Sequence, residues 1–159
     1  MKINDLFEKW NLTGVKVKLP IGEMEWKPCD TDKDAAWDLY VELLTRITTQ
    51  PLSDERGVEQ TALDSIHALF ALTRQTLKEH GRTCIEFTLI AVIVLNQVVR
   101  PFTARWHRKS QEGAFNSSEQ CTIFRSELQA LQIQLRNYTQ LLSALADVED
   151  LTAVVVDDV

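Results

Sequence analysis

The sequence predicts a mainly α domain: an antiparallel four-helix bundle carrying a small N-terminal β-hairpin. Three observations predict it. Cys121, Phe124, Leu128, Leu131, Leu135, Tyr138, Leu142 and Leu145 recur at alternating steps of three and four, which puts them on one narrow stripe of a long helix. The run from Phe87 to Val99 is thirteen residues without a charge, the length of a helix buried in a core rather than of a membrane span. Four helical patterns in all are joined by polar loops of about three to eight residues, as antiparallel neighbours require.

The elements follow in order. Ile3, Leu6, Phe7 and Trp10 share one face of a short amphipathic helix that Gly14 breaks. Val15, Val17 and Leu19 alternate with Lys16 and Lys18, Pro20 and Gly22 mark a turn, and Met24 and Trp26 alternate with Glu23, Glu25 and Lys27. That period of two predicts the hairpin, with a lysine edge facing a glutamate edge. The first long helix is expected to start at Thr31, capped with Asp34, and to end before Pro51, with Ala36, Trp37, Tyr40, Leu44 and Ile47 inward. After the polar loop 51–57, a second helix turns Leu63, Ile66, Phe70 and Leu77 inward and stops at Gly81.

Thr83 and Glu86 have the spacing of a capping box for the third helix. Its apolar face, Phe87, Ile90, Val94, Val98, Phe102 and Trp106, continues across Pro101, where the helix must kink or restart. Ser117 with Gln120 caps the fourth helix, which is expected to run to about Val148. The chain thus reads as one domain over 1–159: a short helix and hairpin in 1–30, the bundle in 31–148 and an acidic tail in 149–159. The tail is expected to be frayed or a small edge strand.

Bulk composition narrows the functional classes. The 159 residues are 45% apolar and 25% charged, ordinary for a soluble globular protein, and the net charge of −6 argues against general nucleic-acid affinity. Three cysteines without paired spacing are expected to be reduced, two of them buried, which together with the charged N-terminus points to the cytosol. Asp30, Asp32, Asp34, Asp38 and Glu42 have no histidine among them and the chain has no Glu-x-x-His pair, so a solvated acidic face is expected, with no metal and no cofactor. His67, beside Ile66 and the Ala68–Phe70 run, reads as a buried core histidine.

Two stretches carry functional readings. The heptad stripe either closes the chain's own core or forms a dimer seam, and Ile123, Ile133 and Leu141 lie off it as a second, outward strip for a partner. Residues 100–109 form the one locally basic stretch, because no acidic residue occurs between Glu86 and Glu112. RNA, a nucleotide or another anionic ligand is one expectation here, held by Arg100, Arg105 and Arg108 with Trp106 as a stacking surface. The other is structural: cations favoured near a helix C-terminus, or paired with Asp34, Asp38 and Glu42 of the first helix.

Arg100 with His107, and Arg74 with His80, also fit an Arg-x(4–6)-His pattern. On these residues the chain resembles the HEPN ribonucleases, small all-α domains of prokaryotic toxin and defence systems. The resemblance implies a dimer that juxtaposes arginines and histidines and cleaves RNA without metal, Arg100 holding the phosphate and His107 acting as general acid and base. The chain departs from the pattern in having Pro101 after the arginine and in carrying the pair on its third helix. The run Asn96–His107 also resembles small helical proteins of bacterial gene cassettes, some of them defence-related. The leading expectation is a non-enzymatic interaction or regulatory subunit of a bacterial cytosolic system, with a protein partner or a second copy and no membrane. The HEPN-like ribonuclease and the anion-sensing bundle are the alternatives.

Overall fold

The computed structural model describes residues 1–18 and 21–155. They are mainly helical, with five helices: α1 (Ile3–Lys9), α2 (Asp30–Leu44), α3 (Glu59–His80), α4 (Ile85–Gln111) and α5 (Ser118–Ala146). All five contribute to a single hydrophobic core, which runs from Ile3, Leu6 and Phe7 of α1 to Leu142 and Leu145 of α5.

The stripe on α5 is the spine of that core. Phe124, Leu135 and Leu142 are fully buried and Leu128, Leu131, Tyr138 and Leu145 nearly so, with α5 packed most extensively on α2. Residues beside the stripe reach the chain's own α2–α3 linker. Gln132 donates to the Ile47 and Gln50 carbonyls at 2.6 and 2.5 Å, and Arg136 to the Thr49 carbonyl at 3.2 Å. Arg125 pairs with Glu59 at 2.7 Å and donates to the Ser53 and Gly57 carbonyls at 3.0 Å each. These bonds occupy the flanks that a dimeric coiled coil would use. The outward strip does not form either: Leu141 is buried and Ile123 half-buried, leaving Ile133 exposed.

Several sequence expectations are corrected at the helix ends. No strand ladder forms among the described residues; Lys2 and Glu25 make one isolated antiparallel bridge. Of the expected hairpin, Leu19 and Pro20 lie outside the described residues, and Lys16 pairs instead with a side chain. Its N–H donates to Gln97 Oε1 at 2.6 Å, and Gln97 Nε2 donates to its carbonyl at 2.8 Å. One amide side chain thus substitutes for a partner strand.

Helix α2 begins at Asp30, not after a Thr31 cap, with Cys29 at the N-cap and Asp32 accepting from the Cys29 N–H at 2.8 Å. It ends at Leu44, well before Pro51, because Thr48 and Thr49 both turn their hydroxyls onto the Leu43 carbonyl at 2.8 and 2.9 Å. Its buried face is Asp32, Ala35, Ala36, Leu39, Tyr40 and Leu43: Ala36 and Tyr40 point inward as expected, but the face is centred toward Ala35, Leu39 and Leu43, so Trp37 faces outward at 47% exposure.

Helix α4 passes Pro101 without stopping. Proline lacks an N–H and crowds the carbonyl four residues back, here that of Gln97. Residues Leu95–Val99 take a π-helical turn in which the Arg100 N–H reaches the Leu95 carbonyl. The wider turn accommodates the ring within one continuous helix of 27 residues. That helix is long and apolar enough to cross a membrane by length and composition. Here Phe87, Ile90, Ala91, Val94, Val99, Phe102 and Trp106 are buried against the other helices.

Ser117 caps α5 through the Gln120 N–H, as its spacing predicts. The helix ends at Ala146: Asp147 is left-handed (φ 59°), the Val148 N–H reaches the Ser143 carbonyl and the Asp147 N–H that of Ala144, a Schellman arrangement. The tail then returns to α2. Tyr40 Oη accepts from the Leu151 N–H at 2.7 Å, and residues 152–155 form a short 3-10 turn and no strand; residues 156–159 of the expected tail lie outside the described residues.

Candidate functional site at the seam of α3 and α4

The basic stretch 100–109 is distributed around α4 instead of gathered at one point. A helix advances about 100° per residue, so Arg100 and His107 share a face while Arg105 lies on the other side. Arg105 pairs with Glu127 of α5 at 2.9 Å, and Arg108 with Glu112 of its own helix at 3.4 Å. Trp106 is fully buried, donates from Nε1 to Glu127 at 2.8 Å, and packs on Phe115 and Phe124 with centroids 5.9 and 5.0 Å away. It offers no face to a stacking base. The expected ligand set of Arg100, Arg105, Arg108 and Trp106 is therefore not brought together. Nor do these arginines meet the acidic stripe of α2: Asp38 pairs with His80 at 2.6 Å and Glu42 with Arg46 at 2.9 Å.

Arg100 and His107 acquire companions from α3 that the sequence did not single out for them. The His107 ring stands edge-on to His67, with centroids 4.7 Å apart. The Arg100 guanidinium lies over Phe70 at 4.7 Å, and Phe70 is 5.6 Å from the His67 ring. Arg100 Nε donates to Asn96 Oδ1 at 2.9 Å, which orients the group. His67 is exposed, not a buried core histidine, because it sits on the outer edge of α3 where Ile66 and Phe70 take the inward positions. Burial pushes the His107 ring's proton affinity below the ordinary histidine range, the neighbouring His67 adds to that, and Asp64 opposes it.

A second cluster joins the N-termini of α2 and α4. Asp32 is buried and holds both: one oxygen accepts from Cys29 N–H, the other from Phe87 N–H at 2.9 Å. The Thr83–Glu86 capping box is not formed: the helix starts one residue later, with Cys84 at the N-cap, and Asp32 accepts from the Phe87 N–H of its first turn. Glu86 is left buried with Oε2 unpartnered. Burial raises its pKa, the Asp32 charge adds to that, and a bond from the Lys27 backbone opposes it. A carboxyl that holds its proton more tightly when folded stabilises the fold below its ordinary pKa of 4.5, and that contribution is lost as pH rises through the folded value. Glu86→Gln is therefore expected to raise stability by about 1 kcal/mol near pH 8 and to change it little near pH 4.5. Melting curves of both proteins across that range check the sign; an equal effect at both ends would refute it.

The cysteines are all free, but Cys84 alone is buried, with Cys121 half-buried and Cys29 exposed. Among the described residues no group of three or more potential metal-ligating side chains comes together.

No family model matches the chain, and neither a curated protein nor a solved structure resembles it significantly.

Proposed function

We propose that α2, α3, α4 and α5 form an antiparallel four-helix bundle that acts as a non-enzymatic interaction or regulatory subunit in a bacterial cytosolic system. One observation carries the reading. Trp37 at 47% exposure and Val41 at 40% stand one turn apart on α2, over a groove of about 290 Å³ that Leu72, Gln75, Thr76 and Glu79 of α3 complete. A large aromatic left at the edge of a groove is the kind of side chain that anchors protein interfaces. The heptad stripe supports the same view from the other side, since it is consumed by the chain's own core and leaves recognition to other faces.

Trp37→Ala tests it. The variant is expected to keep its melting temperature and to bind a stoichiometric partner from the native host at least about thirtyfold more weakly, the loss typical of an anchor residue. Pull-downs at low and moderate salt, followed by titration of the recovered partner, read this out. Undiminished binding by the variant would remove the groove from the proposal.

The contact of His67 with His107 favours a second reading, the metal-independent ribonuclease with Arg100 on the phosphate and His107 as acid and base. It requires RNA cleavage in EDTA that His107→Ala abolishes without unfolding the domain. Wild-type protein inert on RNA would end that reading.

A further inference from the structure

We propose that the groove between α2 and α3 receives an amphipathic helix of a protein partner, one whose apolar row is flanked by lysine or arginine. This deepens the interaction reading and rests on it. The floor and the rim of the groove differ in chemistry. Trp37 and Val41 stand one turn apart on α2, and Leu72 and Thr76 one turn apart on α3. The Thr76 hydroxyl donates to the Leu72 carbonyl at 3.0 Å, so the floor offers apolar surface and no free donor. Two rows at i and i+4 match the spacing of apolar residues along one face of a docked helix. The cavity holds about 290 Å³. That is the lower limit of small-molecule sites, about 300–1,000 Å³, and it suits side-chain tips from a longer segment.

Charge selects the partner. Asp38 and Glu42 of α2 and Glu79 of α3 line the groove, and no lysine or arginine does. Asp34, exposed, extends the acidic row one turn toward the start of α2. Two of these carboxylates are answered: His80 pairs with Asp38 at 2.6 Å and Arg46 with Glu42 at 2.9 Å. Glu79 accepts from the Gln75 amide at 2.9 Å, and neither it nor Asp34 makes an ion pair among the described residues. Arg74 and Lys78 lie one position before Gln75 and Glu79, about 100° round α3 from that rim. Lys33 lines a separate cavity with Trp26 and Leu141. A two-fold dimer across the groove would set the same acidic patch on both sides, which opposes a second copy of the chain as occupant. A neutral apolar helix would strip water from the rim carboxylates without replacing it, a penalty that lysine or arginine avoids.

The probe is a displayed library of helices about 16 residues long, enough to hold helical structure, panned against the intact protein. Their apolar row is fixed and the flanking positions are random. The expected result is enrichment of helices with net positive flanks. As synthetic peptides these should bind Trp37→Ala about tenfold or more weakly, and the double variant Glu42→Gln with Glu79→Gln likewise. Asp38 is left in place because it ties α2 to α3 through His80. Glu112→Gln with Glu119→Gln removes the same charge beside the α4–α5 turn and should bind as wild type does. Circular dichroism should show all the variants folded. Enriched helices with neutral or acidic flanks that still need Trp37 would overturn the charge assignment and leave the groove as an interface. Binders indifferent to Trp37→Ala would overturn both. Equal losses in the two double variants would refute the proposal, since they report bulk charge and not the groove. Failure to enrich any helix would also overturn it, while the pull-down with Trp37→Ala still decides whether the groove binds a partner of another shape.

Discussion

Leu135→Asp is expected to leave the protein unfolded at 25 °C. Leu135 is fully buried at the centre of the α5 stripe, on the face packed against α2. Aspartate there removes a leucine's packing, about 2–5 kcal/mol, and adds the cost of a buried charge with no counterion. The sum exceeds about 5 kcal/mol and so rivals the whole stability of a domain this size, about 5–15 kcal/mol. Circular dichroism and a thermal melt decide it. A variant that melts like wild type and merely changes its oligomeric state would mean the stripe is a subunit interface, and the packing of α5 on α2 would have to be abandoned.

Asp32→Ala should have the second largest effect, a loss of about 3 kcal/mol. Its carboxylate, itself buried, receives the part-buried Cys29 N–H at the start of α2 and the buried Phe87 N–H in the first turn of α4. Losing an N-cap costs about 1 kcal/mol, and charge-assisted bonds to buried amides are worth more than that each. The double contact distinguishes this residue from an ordinary cap. Asp32→Asn, which retains one acceptor oxygen, is expected to recover part of the loss. Denaturant titration measures both, and a loss below about 1 kcal/mol for the alanine variant would show that the two helix termini are held by something else.

The helices themselves were legible because their apolar periods are long and strong. Phe87, Ile90, Val94, Phe102 and Trp106 share the buried face of α4 that their spacing predicts, and Ser117 caps α5 as its hydroxyl and the following turn require. Short-range signals failed where a distant group satisfied the local backbone instead. Thr83 and Glu86 have the right spacing for a box, yet a carboxylate from α2 reaches the α4 terminus first. Val15 and Val17 alternate like a strand, yet the backbone between them is satisfied by Gln97, 81 positions along the chain. Trp37 reads as inward because it is apolar, but the phase of α2 is set by Ala35, Leu39 and Leu43 against α5. Ala and Asp at core positions give little signal in a hydrophobic count.

The candidate site was half legible. Arg100 and His107 stand seven residues apart on one helix, so their shared face follows from helical geometry. Arg105, Arg108 and Trp106 looked equally suited to a ligand, since a sequence shows charge and aromaticity but not which side chains the core and its neighbours will occupy.

By itself the sequence determined that this chain is mainly helical, where most of the long helices lie, and that α5 presents a continuous apolar stripe. All of these are consequences of local periodicity and local backbone chemistry. Tertiary structure alone decided that His67 faces His107, that Asp32 joins two helix termini, and that Trp37 stays at the surface. Each depends on the relative rotation and register of two helices distant in sequence. That choice is made by the packing of whole faces, and no single segment encodes it.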